Sequence, residues 1–110
     1  MIRSALLLAL LSAVPLAHAA PDLTTVSERS GFQRTGRYDE VIKLCAGFQR
    51  AYPKQVKCID FGTTPEGRPM KALIVTKTGA FSAQAAKQRG LPVVLVQGGI
   101  HAGEIDGKDA

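Results

Sequence analysis

Pro92-Val93-Val94-Leu95-Val96-Gln97-Gly98-Gly99-Ile100-His101-Ala102-Gly103-Glu104 is the stretch on which the reading of this chain turns. Its first half, Pro92 to Gln97, is a continuous apolar run. Such a run predicts a central strand of a sheet covered on both faces, because a strand with one wet face alternates instead. Gly98 and Gly99 open the backbone at its end and leave room for a crevice. His101 and Glu104 follow, three residues apart. Polar groups at the carboxyl end of a central strand form the usual ligand crevice of open α/β sheets. Imidazole and carboxylate are both zinc ligands, and a catalytic zinc takes three protein ligands and an open position for water. The same spacing also fits a surface histidine followed by a glutamate that a helix dipole favours. Spacing alone leaves both readings open. Ile105 to Ala110 predicts the start of a helix.

Upstream, Lys77 to Gly90 reads as a loop with a short helix over Ser82 to Gln88, ended by Gly90 and Pro92. Val56 to Gly62 and Pro69 to Thr76 are rich in strand formers. The turn-rich link Thr63-Thr64-Pro65-Glu66-Gly67-Arg68 between them predicts an antiparallel hairpin. In the second strand Met70, Ala72 and Ile74 alternate with Lys71, Leu73 and Val75, so both faces are apolar and layers are expected above and below. Tyr38, Val41, Ile42, Cys45, Phe48 and Tyr52 recur with helical spacing and mark one face of an amphipathic helix. Asp39 and Glu40 suit its first turn and Arg50 its last. Pro53 stops it, and Gly47 is a mild local cost. Ala20 to Gly36 reads as an irregular leading segment pinned by Phe32.

Composition bounds the rest. The chain has 110 residues, 45% of them hydrophobic and 21% charged, which is globular and fits one domain at most. The net charge of +5 is scattered. Arg29, Arg34, Arg37, Lys43 and Arg50 are interspersed with Glu28, Asp39 and Glu40, with no dense basic run and no interleaved aromatics, which argues against a nucleic-acid partner. Met1 to Ser4 carries one positive charge, Ala5 to Ala17 is apolar apart from Ser12, and Ala17-His18-Ala19 is a small-x-small cleavage pattern. This layout predicts a secretory signal peptide over residues 1–19, cleaved after Ala19, and a periplasmic or secreted product. The apolar run is too short for a spanning helix of about 20 residues, so no stable membrane anchor is expected. In an exported chain Cys45 and Cys58 fit a disulfide. They equally fit two buried free thiols filling core space.

Taken in order, the helix ending at Tyr52-Pro53, the turn Glu66-Gly67-Arg68, the apolar run Pro92 to Gln97 and the H-x-x-E pair His101 and Glu104 resemble the N-terminal part of zinc carboxypeptidases of the M14 (carboxypeptidase A-like) family. The resemblance spans about residues 24 to 110. It implies an α/β fold, a mixed sheet in a three-layer α/β/α arrangement, incomplete over 20–110. It implies one zinc ion with His101 and Glu104 as two of its three protein ligands. The third ligand, a histidine, is expected downstream of Ala110, as are the general-base glutamate and the carboxylate-binding arginine, since the only other histidine is His18. No catalytic residue is therefore assigned here. The expected substrate is a peptide or peptide-like molecule with a free C-terminal carboxylate. Arg68 is available as a substrate clamp but reads better as a structural residue of the hairpin turn. Gly103 stands where digestive members carry an arginine, so digestive-type subsite contacts are not carried over.

Metallocarboxypeptidase is the function these features favour. An aspartoacylase-like or succinylglutamate desuccinylase-like amide hydrolase shares the H-x-x-E pair but usually lacks an export signal. A non-catalytic secreted module of the same fold is the third reading.

Overall fold

Thr25 starts the first ordered element. Its hydroxyl accepts the Glu28 N–H at 3.0 Å, and the Glu28 carboxylate accepts the Thr25 N–H at 2.7 Å. This reciprocal capping box opens α1, Val26–Arg29. The computed structural model describes residues 20–101 and 103–109, and the predicted signal peptide lies outside them. The segment expected to be irregular thus holds a helical turn, and Thr25-x-x-Glu28 was its signal. Just before it, the Asp22 carboxyl is held below the usual carboxylate range, chiefly by the Thr24 N–H that donates to it.

The main helix, α2, runs over Tyr38–Ala51. Asp39 and Glu40 lie in its first turn and Arg50 in its last, as the dipole favours. Pro53 follows the C-cap residue Tyr52. Glu40 is buried, and its carboxylate accepts the Val26 N–H at 2.5 Å, tying α1 to α2. Gly47 has a packing reason. A Cβ there would lie 2.9 Å from Cδ2 of Leu23, so the leading segment rests on the helix at this point. Leu23 therefore does what was expected of Phe32. Phe32 is 80% exposed, in a left-handed turn (φ 63°) closed by its N–H to the Ser27 carbonyl.

Strands β1, Val56–Thr63, and β2, Pro69–Val75, form the expected antiparallel hairpin. Val56 opposes Val75, Cys58 opposes Leu73 and Asp60 opposes Lys71, with an irregularity between Asp60 and Gly62. The link closes through the Thr64 N–H to the Arg68 carbonyl and through Gly67 at φ 78°. Helix α2 packs on the hairpin. A disulfide joins Cys45 to Cys58, with the Cα atoms 5.4 Å apart. The Gln49 side chain accepts the Cys58 N–H at 2.8 Å, and the Tyr38 hydroxyl donates to the Pro69 carbonyl. Of the two readings of the cysteines, the bridge is the one realised.

Burial of both hairpin faces is not. Leu73 and Val75 remain exposed, because α2 is the element that covers the hairpin among the described residues. Helix α3, Ala83–Gln88, is capped by Ser82, whose hydroxyl accepts the Ala85 N–H at 3.1 Å. It ends at Gly90 (φ 63°). Ala80 and Ala86 are buried. A four-residue helix, α4, spans Asp106–Asp109, where a helix start was expected. No helix among the described residues is long and apolar enough to cross a membrane.

The expected central strand Pro92 to Gln97 is a correction. Residues 91–100 form no strand, and Val93 and Val96 are 76% and 90% exposed. The sheet among the described residues consists of β1 and β2 alone. A strand is completed by hydrogen bonds from its neighbours, and nothing in that sheet pairs with this run. The described chain is a mixed α and β structure with a small antiparallel sheet.

Two outcomes follow. Denatured, unreduced protein should show no reactive thiol, and Cys58→Ala should lower stability by about 3 kcal/mol, as expected for a short closed loop; two labelled thiols per chain would contradict the bridge. The 110-residue chain should self-associate through its apolar run, since Val93 to Val96 combines strand propensity with no charge. Light scattering should show Val94→Lys reducing that association.

Candidate metal centre

The loop from Gly98 to Gly107 folds back on itself. Gly98 and Gly107 touch backbone to backbone: a Cβ on Gly98 would fall 2.7 Å from the Cα, carbonyl carbon and oxygen of Gly107, and a Cβ on Gly107 would fall 2.7 Å from the Gly98 Cα. Neither approach leaves room for any other residue. Gly99 (φ 64°) and Gly103 (φ 91°) adopt backbone conformations that only glycine takes readily. A Cβ on Gly99 would also crowd the Glu104 carbonyl oxygen at 3.3 Å. Sequence reading gave Gly98 and Gly99 the task of opening a crevice. In the fold Gly98 admits a second stretch of backbone instead. Nothing in the local pattern of residues 105–110 marks Gly107 as the other side of that approach.

Inside this loop His101 and Glu104 converge. Imidazole Nδ1 and carboxylate Oε1 are 2.8 Å apart. The His101 N–H reaches Oε2 at 3.3 Å, and the Glu104 N–H donates to the His101 carbonyl at 3.2 Å. Both side chains are solvent-accessible, at 76% and 57%. A carboxylate only accepts, so Nδ1 is the donor of this bond. An exposed pair of this kind contributes little stability, at most about 1 kcal/mol. Its interest lies in what the two groups can hold together.

Zinc bonds of about 2.0–2.2 Å to nitrogen and oxygen put neighbouring ligands of a tetrahedral site about 3.3 Å apart. The donor atoms here already lie within about half an ångström of that spacing, and zinc would replace the hydrogen they share. Donor chemistry and separation thus fit two of the ligands of such a site. Among the described residues no three His, Cys, Asp or Glu side chains gather to hold a metal. Cys45 and Cys58 are bonded to each other. Arg68, weighed above as a substrate clamp, pairs with Glu66 at 2.9 Å and lies 5.7 Å over the Tyr38 ring, which makes it part of the hairpin turn.

No curated protein and no solved structure matches this chain. The family model of zinc carboxypeptidases, Peptidase_M14, matches residues 41–110, a span that takes in most of α2, the hairpin and the whole His101–Glu104 loop. The chain belongs to the zinc carboxypeptidase family.

Proposed function

We propose that this chain supplies the first half of the zinc centre of an exported metallocarboxypeptidase that hydrolyses C-terminal peptide bonds. The observation that carries the reading is the convergence of His101 Nδ1 and Glu104 Oε1, 2.8 Å apart, in a family whose chemistry is built on zinc. In this reading His101 and Glu104 hold the ion, and a third ligand comes from residues beyond Ala110. When bound, the ion lowers the pKa of a water molecule and polarises the scissile carbonyl. To bind through Nδ1, His101 would carry its ring hydrogen on Nε2 instead, and acid would weaken metal uptake because protons compete for both ligands. A base to accept the water proton and a cationic side chain to grip the substrate's terminal carboxylate also belong to the residues beyond Ala110. The run Pro92 to Gln97 takes its place as the buried strand of a three-layer α/β/α fold once flanking strands pair with it. Export rests on the residues 1–19 pattern, and the disulfide supports it, because such bonds persist outside the reducing cytosol.

In the enzyme carrying all its ligands, His101→Ala and Glu104→Ala should each abolish stoichiometric zinc, read by elemental analysis, and release of C-terminal residues from a peptide with a free carboxylate. Full zinc and activity in His101→Ala would refute the assignment. The 110-residue chain alone should bind zinc no tighter than about micromolar and cleave nothing, having two ligands where a catalytic site needs three. Intact mass of the exported protein should place its N-terminus at Ala20, and a mass that retains residues 1–19 would refute the signal peptide.

A further inference from the structure

We infer that the backbone contact between Gly98 and Gly107 positions the metal pair: closing the loop there holds His101 and Glu104 face to face, and a single methyl group at either glycine drives them apart. This rests on the reading of His101 and Glu104 as ligands and adds two residues that touch neither metal nor substrate.

The geometry is reciprocal. A Cβ on either glycine meets the other's backbone at 2.7 Å, far inside van der Waals contact, and backbone cannot swing aside as a flexible side chain can. Both clashes are relieved by the same motion, separation of the two ends of the loop. Glu104 and His101 lie between those ends, and the loop between them is short. Two of its hydrogen bonds, His101 N–H to Glu104 Oε2 at 3.3 Å and Glu104 N–H to the His101 carbonyl at 3.2 Å, are at the long end of the useful range, and the shorter Nδ1–Oε1 contact at 2.8 Å joins two solvent-exposed side chains, so together they resist a backbone clash weakly.

Local preference points the other way. Gly107 lies in α4, and neither it nor Gly98 has a positive φ. Alanine is by about 1 kcal/mol the better helix former. Helix propensity alone therefore makes Gly107→Ala stabilising, whereas the contact makes it disruptive. The sign of the effect separates the two.

The experiment compares Gly98→Ala, Gly107→Ala, the double variant and Gly67→Ala in the protein bearing all its zinc ligands. Zinc affinity is read by competition with a chromophoric chelator. Each single variant at 98 or 107 should lose affinity by about tenfold or more, the range typical of residues that orient ligands. The double variant should lose no more than the worse single, because one Cβ already breaks the shared contact. Gly67→Ala strains the hairpin turn, where φ is 78° and the space around is open, so it should lower thermal stability and leave zinc affinity unchanged. Unchanged affinity in Gly107→Ala, or losses that add in the double variant, would overturn the inference. A second readout works without metal. In metal-free protein Glu104→Ala should shift the His101 imidazole nitrogen resonances, and in the Gly98→Ala and Gly107→Ala backgrounds it should shift them far less. Equal shifts in all backgrounds overturn the positioning role. Should zinc binding prove independent of His101, the ligand assignment fails, and the metal-free comparison still decides whether the glycine contact brings the two side chains together.

Discussion

The Cys45–Cys58 disulfide is the constraint from which the ordered body of this chain is arranged. The apolar core is thin. Among the described residues the buried hydrophobic side chains are Cys45, Val56, Ala80 and Ala86, and none is a large side chain wholly removed from water. Burial on that scale is small beside the conformational entropy of ordering a helix and a hairpin. A covalent link between them removes part of that entropy from the unfolded chain before any packing is counted. Once Cys45 and Cys58 are joined, the neighbouring contacts become local. Gln49 meets the Cys58 N–H about one turn before Pro53 turns the chain back, and Tyr38, at the far end of α2, meets Pro69 where β2 begins. Two polar contacts at opposite ends of one helix, with the bridge between them, fix how the hairpin lies along it.

Elements that depend on their own residues are mostly legible in the sequence, with α1 and its Thr25-x-x-Glu28 capping box the exception. Helix α2 has its face, its charges and its proline stop within one segment, and both strands of the hairpin carry their turn between them. Ser82 and Gly90 bracket α3 in the same way. The other differences fall where burial is granted by something distant in sequence. Val93 to Val96 has the composition of a buried strand, but composition states only what the run would bury against, and the neighbours that hydrogen-bond a central strand are not encoded in it. Leu73 and Val75 show the same thing on β2. Phe32, the largest apolar side chain of the leading segment and its expected pin, stays exposed. Leu23 took that role because Gly47 leaves a gap on α2 that faces it, a complementarity between residues 24 positions apart that no periodicity reports.

His101 and Glu104 are brought together by the fold. Residue type, spacing and the family resemblance single the two out in the sequence, and the structure adds that the side chains lie 2.8 Å apart. What spacing could not supply was the reason they meet. In the chain as described, no neighbouring strand supports the run that leads into them, so their 2.8 Å approach cannot be a consequence of sheet formation. It is produced within ten residues, by two glycines at left-handed φ and by a glycine–glycine crossing at the loop's ends.

That separation of causes bears on how such a centre assembles. A ligand pair that waited for the sheet would be ordered only after the slow, non-local pairing of buried strands. A pair set by its own loop is ordered at the cost of a short closure, which grows only slowly with loop length. On the proposed reading, zinc would engage His101 and Glu104 early and weakly, and a third ligand from distant sequence would close the site. Binding energy released at that last step is folding energy for the segments that bring the third ligand in. The glycines of the His101–Glu104 loop thus serve a purpose that larger residues cannot: they let the backbone itself hold the two side chains together without help from a sheet.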